Sequence, residues 1–182
     1  MVVIAVLGAS GSGKTTTIEY LISRLIKEGF KIGSIKHIHR RNFTIDTVGK
    51  DTWRYRNAGA TVTVTIAPKE IAIIKQLKDP LVDLDQIISL LKKEKLDVIF
   101  IEGFKLSVAQ RKDIPKIVTS KNPRDLKEML NKTLPPILAI SGPVAKKKIQ
   151  MRGFEAPIID LPSDGNLLLN IVKNQIACKD AQ

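Results

Sequence analysis

Val2-Val3-Ile4-Ala5-Val6-Leu7, followed by Gly8-Ala9-Ser10-Gly11-Ser12-Gly13-Lys14-Thr15, is the stretch whose reading decides the fold. Consecutive apolar residues, mostly β-branched, predict a strand buried on both faces, as strands of a parallel sheet are. The glycine-rich segment that follows matches G-x-x-x-x-G-K-[ST] at every defined position. Ile18, Leu21, Ile22, Leu25 and Ile26 then recur at helical spacing, and Gly29 ends the run. Strand, glycine loop and amphipathic helix in this order make a phosphate cradle. Backbone N–H groups turn inward around phosphate oxygens where glycine permits the angles, and the helix N-terminus adds to the attraction for anions. Lys14 is placed to reach the terminal phosphates of a nucleoside triphosphate, and Thr15 to put its hydroxyl on Mg²⁺.

Further along, Lys31 to His37 predicts a second short strand, and Ile38 to Lys50 a loop or projecting arm. Asp51 to Ala58 predicts a short helix closed by Gly59. Thr61 to Ala67 and Glu70 to Gln76 predict two antiparallel strands around Pro68. Leu84, Ile87, Ile88 and Leu91 return to helical spacing. Val98 to Ile101, Ile114 to Thr119 and Ile137 to Ile140 are buried-strand candidates, with Pro157 to Asp160 as a further one. A short helix is expected at Arg124 to Leu130 and a last one after Ser163 and Asp164, which have capping chemistry. Alternating strands and helices predict an α/β fold: a three-layer P-loop nucleotide-binding domain over residues 1–182, with a mostly parallel sheet.

A metal at the phosphates needs a carboxylate. Asp97-Val98-Ile99-Phe100-Ile101-Glu102 is a buried strand that ends in Glu102, at the sheet edge where phosphates bind. Asp97 starts the same strand, five residues and so roughly 16 Å away at about 3.3 Å per residue, too far to share the ion. Asp46, in the loop after the second strand, is the candidate second acid. His37 and His39 would share one face of a strand, but no Cys or third His completes a zinc set, so a basic cluster or a solvated strand end fits them better.

Composition bounds the remainder. The 182 residues are 43% hydrophobic and 26% charged, which is globular, and no apolar run is long enough to span a bilayer. A basic signal-peptide start is missing, so a cytoplasmic location is expected. One cysteine, Cys178, excludes an internal disulfide framework. The net charge of +12 raises the question of nucleic acid, yet the lysines are scattered along every segment, as on a solvated, heat-adapted type of surface. No nucleic-acid partner is expected.

Beyond the glycine loop, the chain carries Lys36-His37-Ile38-His39, then Gly49-Lys50-Asp51 with Arg56 and Ala58-Gly59-Ala60. Ile101-Glu102-Gly103-Phe104-Lys105 and Pro115-Lys116-Ile117 follow. In this order and spacing they resemble the molybdopterin-guanine dinucleotide biosynthesis protein B family over about residues 1–141. The resemblance implies a P-loop α/β domain that forms a homodimer through a β arm and binds GTP with Mg²⁺. It implies weak GTP hydrolysis at most, with no catalytic residue assigned. It further implies an adapter role beside the molybdenum cofactor guanylyltransferase, with molybdopterin or molybdoenzymes as further partners. The candidate nucleotide-binding set is Gly8, Ser10, Gly11, Ser12, Gly13, Lys14, Thr15 and Thr16, and the candidate metal set is Thr15, Asp46 and Glu102. The residues alone do not select guanine: Ser120-Lys121-Asn122-Pro123 lacks the Asn-Lys-x-Asp order, and base contacts are expected from the loop near Ser141. A metabolite or nucleoside kinase is the alternative, since it would use the same cradle and Mg²⁺.

Overall fold

The computed structural model describes residues 1–40, 43–77, 83–147 and 155–180. The expected arm of Ile38 to Lys50 is described except at residues 41 and 42. The elements in chain order are β1 (Val2–Leu7), α1 (Lys14–Leu25), β2 (Ile32–Lys36), α2 (Asp51–Asn57), β3 (Val62–Ala67), β4 (Glu70–Lys75) and α3 (Leu84–Leu90). They continue with β5 (Val98–Glu102), α4 (Lys105–Ala109), β6 (Lys116–Thr119), α5 (Pro123–Leu130), β7 (Ile137–Ser141) and α6 (Gly165–Asp180). The chain divides into two compact units, one of Met1–His37 with Leu90–Gln182 and the other of Ile38–Ser89.

The first unit is a parallel sheet in the order β2-β5-β1-β6-β7. Both faces of β1 and β5 are covered, which is why these strands are continuously apolar rather than alternating. On one face Val2, Ile4, Val6, Val98 and Phe100 pack with Ile18, Leu21 and Leu25 of α1 and with Leu168, Val172 and Ile176 of α6. On the other, Val118 and Ile140 pack with Leu126 of α5 and with Val144. Three layers result, as the strand and helix pattern predicts.

Local differences from the expected elements have simple causes. The Pro157 to Asp160 stretch makes only an isolated parallel bridge, Ile158 with Ile140, because Pro157 cannot donate to a ladder. The Asp164 carboxylate does not cap α6 but accepts the Asp160 N–H at 3.2 Å. Asn122 instead caps α5, its side chain accepting the Asp125 N–H at 3.0 Å with Pro123 in the first turn. Lys116 explains the Pro-Lys-Ile segment structurally. It is fully buried, and its ammonium donates to the carbonyls of Arg111 and of Leu134, the latter at 2.9 Å. Burial pushes its pKa down from 10.5.

The second unit holds α2 and the antiparallel β3–β4 hairpin, in which Ile66 faces Ile71 and Val64 faces Ile73. Gln76 ties hairpin to helix, its backbone N–H on the Thr61 carbonyl and its side-chain amide on the Arg56 carbonyl at 3.0 Å. Its loop is organised around Asp46. One carboxylate oxygen accepts from the Thr47 N–H at 2.9 Å and the Thr52 hydroxyl at 2.8 Å, and the other faces Arg56 Nε at 3.4 Å.

Candidate functional site

The loop between β1 and α1 is shaped by what packs behind it. A Cβ at Gly8 would stand 2.3 Å from Thr119 Oγ1 and 2.4 Å from the Thr119 carbonyl, so only glycine lets β1 turn this close to the end of β6. The Ser12 hydroxyl shares a 2.7 Å hydrogen bond with Thr119 Oγ1, which donates in turn to the Leu7 carbonyl at 3.1 Å. Ser12 is fully buried, so it serves this anchor and its side chain does not face the cleft. From the far side Gly142, at φ +91°, closes on the Ser12 carbonyl, to which a Cβ would come within 2.2 Å. The glycine loop is therefore clamped between the ends of β6 and β7, two strands that the local motif does not contain.

In front of this anchor lies a cavity of about 510 Å³ lined by Ser10, Gly11, Gly13, Lys14, Thr15 and Thr16 from the loop, with Lys36, Glu102 and Pro143 opposite. Gly11 and Gly13 hold left-handed angles, φ +68° and +95°, and α1 begins directly at Lys14. The Lys14 ammonium donates to the Ala9 carbonyl at 2.8 Å, curled over its own loop. Of the eight predicted nucleotide-binding residues, six face this cavity, while Gly8 and Ser12 support it from behind.

Glu102 sits where the strand pattern places it. It is buried at the end of β5 and accepts a hydrogen bond from the Thr15 hydroxyl at 3.2 Å, across 87 residues of sequence. Its other oxygen pairs with the Lys36 ammonium. Lys36 and Glu102 are register partners in adjacent strands, so this ion pair follows from the β2–β5 pairing. The next residues interlock as well: the His37 N–H donates to the Glu102 carbonyl at 2.8 Å, and the His37 ring stacks on Phe104 with 4.3 Å between centroids. Gly103, at φ +106°, makes room for this, since a Cβ there would lie 2.7 Å from His37 Cβ. The Lys-His and Glu-Gly-Phe segments thus form one packed unit. His37 is engaged with Phe104, and among the described residues no group of three His, Cys, Asp or Glu side chains gathers to hold a metal.

Asp97, at the opposite end of β5, accepts the Lys31 N–H at 2.6 Å and has no part in the cleft. Asp46 belongs to the second unit and is held there by Thr47, Thr52 and Arg56. Thr119, which anchors the glycine loop, is a residue that sequence inspection passes over. Lys36 was visible as part of a basic segment, but its carboxylate partner emerges only from strand order.

The residues fit a nucleoside phosphate and a divalent ion. The loop presents left-handed glycines and an ammonium. The hydroxyl–carboxylate pair Thr15–Glu102 is hard oxygen chemistry, and it already neutralises one cation, that of Lys36.

The comparisons agree with this geometry. The family model described as "Molybdopterin guanine dinucleotide synthesis protein B" matches residues 3–142. A molybdopterin-guanine dinucleotide biosynthesis adapter protein of Haemophilus influenzae is 34% identical over 134 residues, covering 74% of this chain and 68% of that protein. The Escherichia coli adapter protein is 37% identical over 110 residues, covering 60% of this chain and 59% of that one. The crystal structure of Bacillus subtilis MobB superposes with a TM-score of 0.75 at 28% identity, over 96% of this chain and 98% of that one. These relatives lend no support to the kinase alternative. From the clamped glycine loop, the Glu102 strand and this match over residues 3–142, the chain belongs to the molybdopterin guanine dinucleotide synthesis protein B family.

Proposed function

We propose that the protein is a GTP-binding adapter that assists the conversion of molybdopterin to molybdopterin guanine dinucleotide beside a guanylyltransferase, and that its own GTP hydrolysis is slow. The observation that carries this is the cavity in which Lys14, the Gly11–Gly13 backbone and the Thr15–Glu102 pair converge. Lys14 would exchange the Ala9 carbonyl for phosphate oxygens. Thr15 and Glu102 would hold Mg²⁺, with Lys36 moving off the carboxylate as the ion arrives. When bound, Mg²⁺ would supply charge neutralisation on the phosphates.

Slow turnover is supported by what lines the cleft. Efficient hydrolysis draws on extra positive charge at the γ-phosphate, often an arginine worth about 10³- to 10⁵-fold in rate. Among the described residues lining the cavity there are two lysines and no arginine. The homodimer is proposed through the hairpin, whose Val62, Val64, Ile66, Ile71 and Ile73 are exposed on one face.

The test is calorimetric titration of GTP with and without Mg²⁺ for wild type and Glu102→Gln. The substitution keeps the shape and removes the charge. Affinity without metal is expected to stay within about threefold while the Mg²⁺-dependent gain falls by tenfold or more, the scale of one lost charged contact. An unchanged Mg²⁺ gain overturns the metal assignment. For the adapter role, adding the protein to a purified guanylyltransferase with GTP and molybdopterin is expected to raise dinucleotide formation. Rapid γ-phosphate transfer to a small metabolite, with no effect on the transferase, overturns it.

A further inference from the structure

A second cavity of about 230 Å³ adjoins the phosphate cleft, sharing Gly13, Thr16 and Pro143 with it and extending to Lys146, Asp160 and Leu161. The fold explains its position. The parallel bridge of Ile158 with Ile140, with the Ile159 N–H on the Ile140 carbonyl at 2.8 Å, carries the chain to the sheet end where Gly142 and Pro143 meet the glycine loop. Asp160 lies just past that bridge. It is fixed by its backbone, since its N–H donates to the Asp164 carboxylate at 3.2 Å and its carbonyl accepts the Asp164 N–H at 2.7 Å. Among the described residues, its half-buried carboxylate makes no hydrogen bond or ion pair. The Ser141 hydroxyl, by contrast, is committed to the Ile159 carbonyl at 2.9 Å and is fully buried. The base contacts expected near Ser141 must therefore come from its neighbours.

A nucleotide with its phosphates at Lys14 can place its base in this adjoining cavity, whose apolar lining includes Pro143 and Leu161. The polar side chains there then decide which base is accepted. A carboxylate is an acceptor with two oxygens, and an ammonium is a donor only. Guanine offers N1–H and the 2-amino group as adjacent donors and O6 as an acceptor beside them. Adenine offers the N1 lone pair in the same place, which a carboxylate repels. We propose that Asp160 is the guanine-specificity residue of this protein, accepting from N1–H and the 2-amino group, with Lys146 donating to O6. The proposal rests on the GTP reading above and names the residues that would enforce it.

The test is competition calorimetry with GTP, ITP, XTP and ATP on wild type, Asp160→Asn and Lys146→Ala. Wild type is expected to bind GTP about tenfold or more tighter than ITP, which lacks the 2-amino group, and tighter still than ATP, on the scale of contacts to a charged group. Asp160→Asn keeps one acceptor oxygen for N1–H and replaces the other by an NH2 donor that suits the C2 carbonyl of xanthine, so the XTP/GTP affinity ratio is expected to rise about 100-fold. A gain for XTP cannot come from misfolding. Lys146→Ala is expected to weaken GTP and XTP alike in the wild-type background. If Asp160→Asn leaves the ratio unchanged while wild type still prefers GTP to ATP, the specificity assignment is overturned and the GTP reading stands. Loss of both nucleotides without the exchange of preference also overturns the assignment. A wild-type protein that binds ATP as tightly as GTP overturns both.

Discussion

In the first unit Val2–Leu7 and Val98–Glu102 are buried along their whole length, whereas in the β3–β4 hairpin Val62, Val64, Ile66, Ile71 and Ile73 are between 46% and 77% exposed. Both regions are rich in β-branched apolar residues, although β3 alternates them with Thr63 and Thr65 while β1 is apolar throughout. What separates them is the number of covering layers. The parallel sheet has α1 and α6 on one face and α5 on the other, while the hairpin has two strands and little to bury against within its own unit. A two-stranded hairpin is marginal in water by itself. One unit is thus built to hold a small, rigid site, and the other presents an apolar surface of the kind that seeks a protein partner.

The contrast breaks most sharply at glycines. Gly142→Ala would put a Cβ 2.2 Å from the Ser12 carbonyl at a left-handed φ, and a loss of about 3–5 kcal/mol in urea denaturation is expected. Gly59→Ala in the second unit shares the positive φ but meets nothing within 4 Å, so about 1–2 kcal/mol is expected. Equal losses would mean that the clamp on the glycine loop is not tight.

Binding should divide in the same way. Lys14→Ala is expected to weaken GTP by about 1.5–3 kcal/mol while the melting temperature without nucleotide stays close to wild type. The paired change Ile66→Lys with Ile73→Lys is expected to leave GTP affinity per chain unchanged and to weaken self-association at least about tenfold in sedimentation velocity, one desolvated lysine sufficing for that. A hairpin variant that loses GTP binding would show the two regions to be one functional surface.

Smaller effects sharpen the picture within the first unit. Asp97→Asn weakens its hydrogen bond to the Lys31 N–H and is expected to cost about 1 kcal/mol, with the Mg²⁺ dependence of GTP binding unaltered. The least effect is electrostatic. The Arg111 guanidinium beside Asp113 lowers its carboxyl from 3.8 to about 2. A folded-state pKa below the unfolded one gives stability that is complete above pH 3.8 and is lost as pH falls towards 2. The pair is exposed and screened, so less than about 1 kcal/mol is expected, read as the difference between wild type and Asp113→Asn in denaturation at pH 6 and pH 2.5.

Much of the site was legible because it is local. Gly8 to Thr15 is a contiguous pattern whose geometry is set by left-handed glycines and a helix start, and Glu102 was readable as the last residue of an uninterrupted apolar strand. The partners were not legible in the same way. Thr119 lies 107 residues from the Ser12 hydroxyl it holds, and Glu102 lies 87 residues from Thr15. Lys36 could be seen as basic but not as the ion-pair partner of Glu102.

By itself, then, the sequence determined the parallel α/β class, the phosphate loop, the strand-end carboxylate and the antiparallel hairpin, because each depends on periodicity or on backbone angles within a few residues. Only the tertiary structure decided that β5 lies between β2 and β1, which brings Lys36 to Glu102, and that the ends of β6 and β7 clamp the glycine loop. It also decided that Pro157 to Asp160 forms a single bridge rather than a strand, which sets Asp160 in a cavity beside the phosphate cleft. The physical reason is common to all three. Strand order and chain crossings place side chains from distant segments at one sheet edge, and no local pattern in the chain records which neighbours they meet.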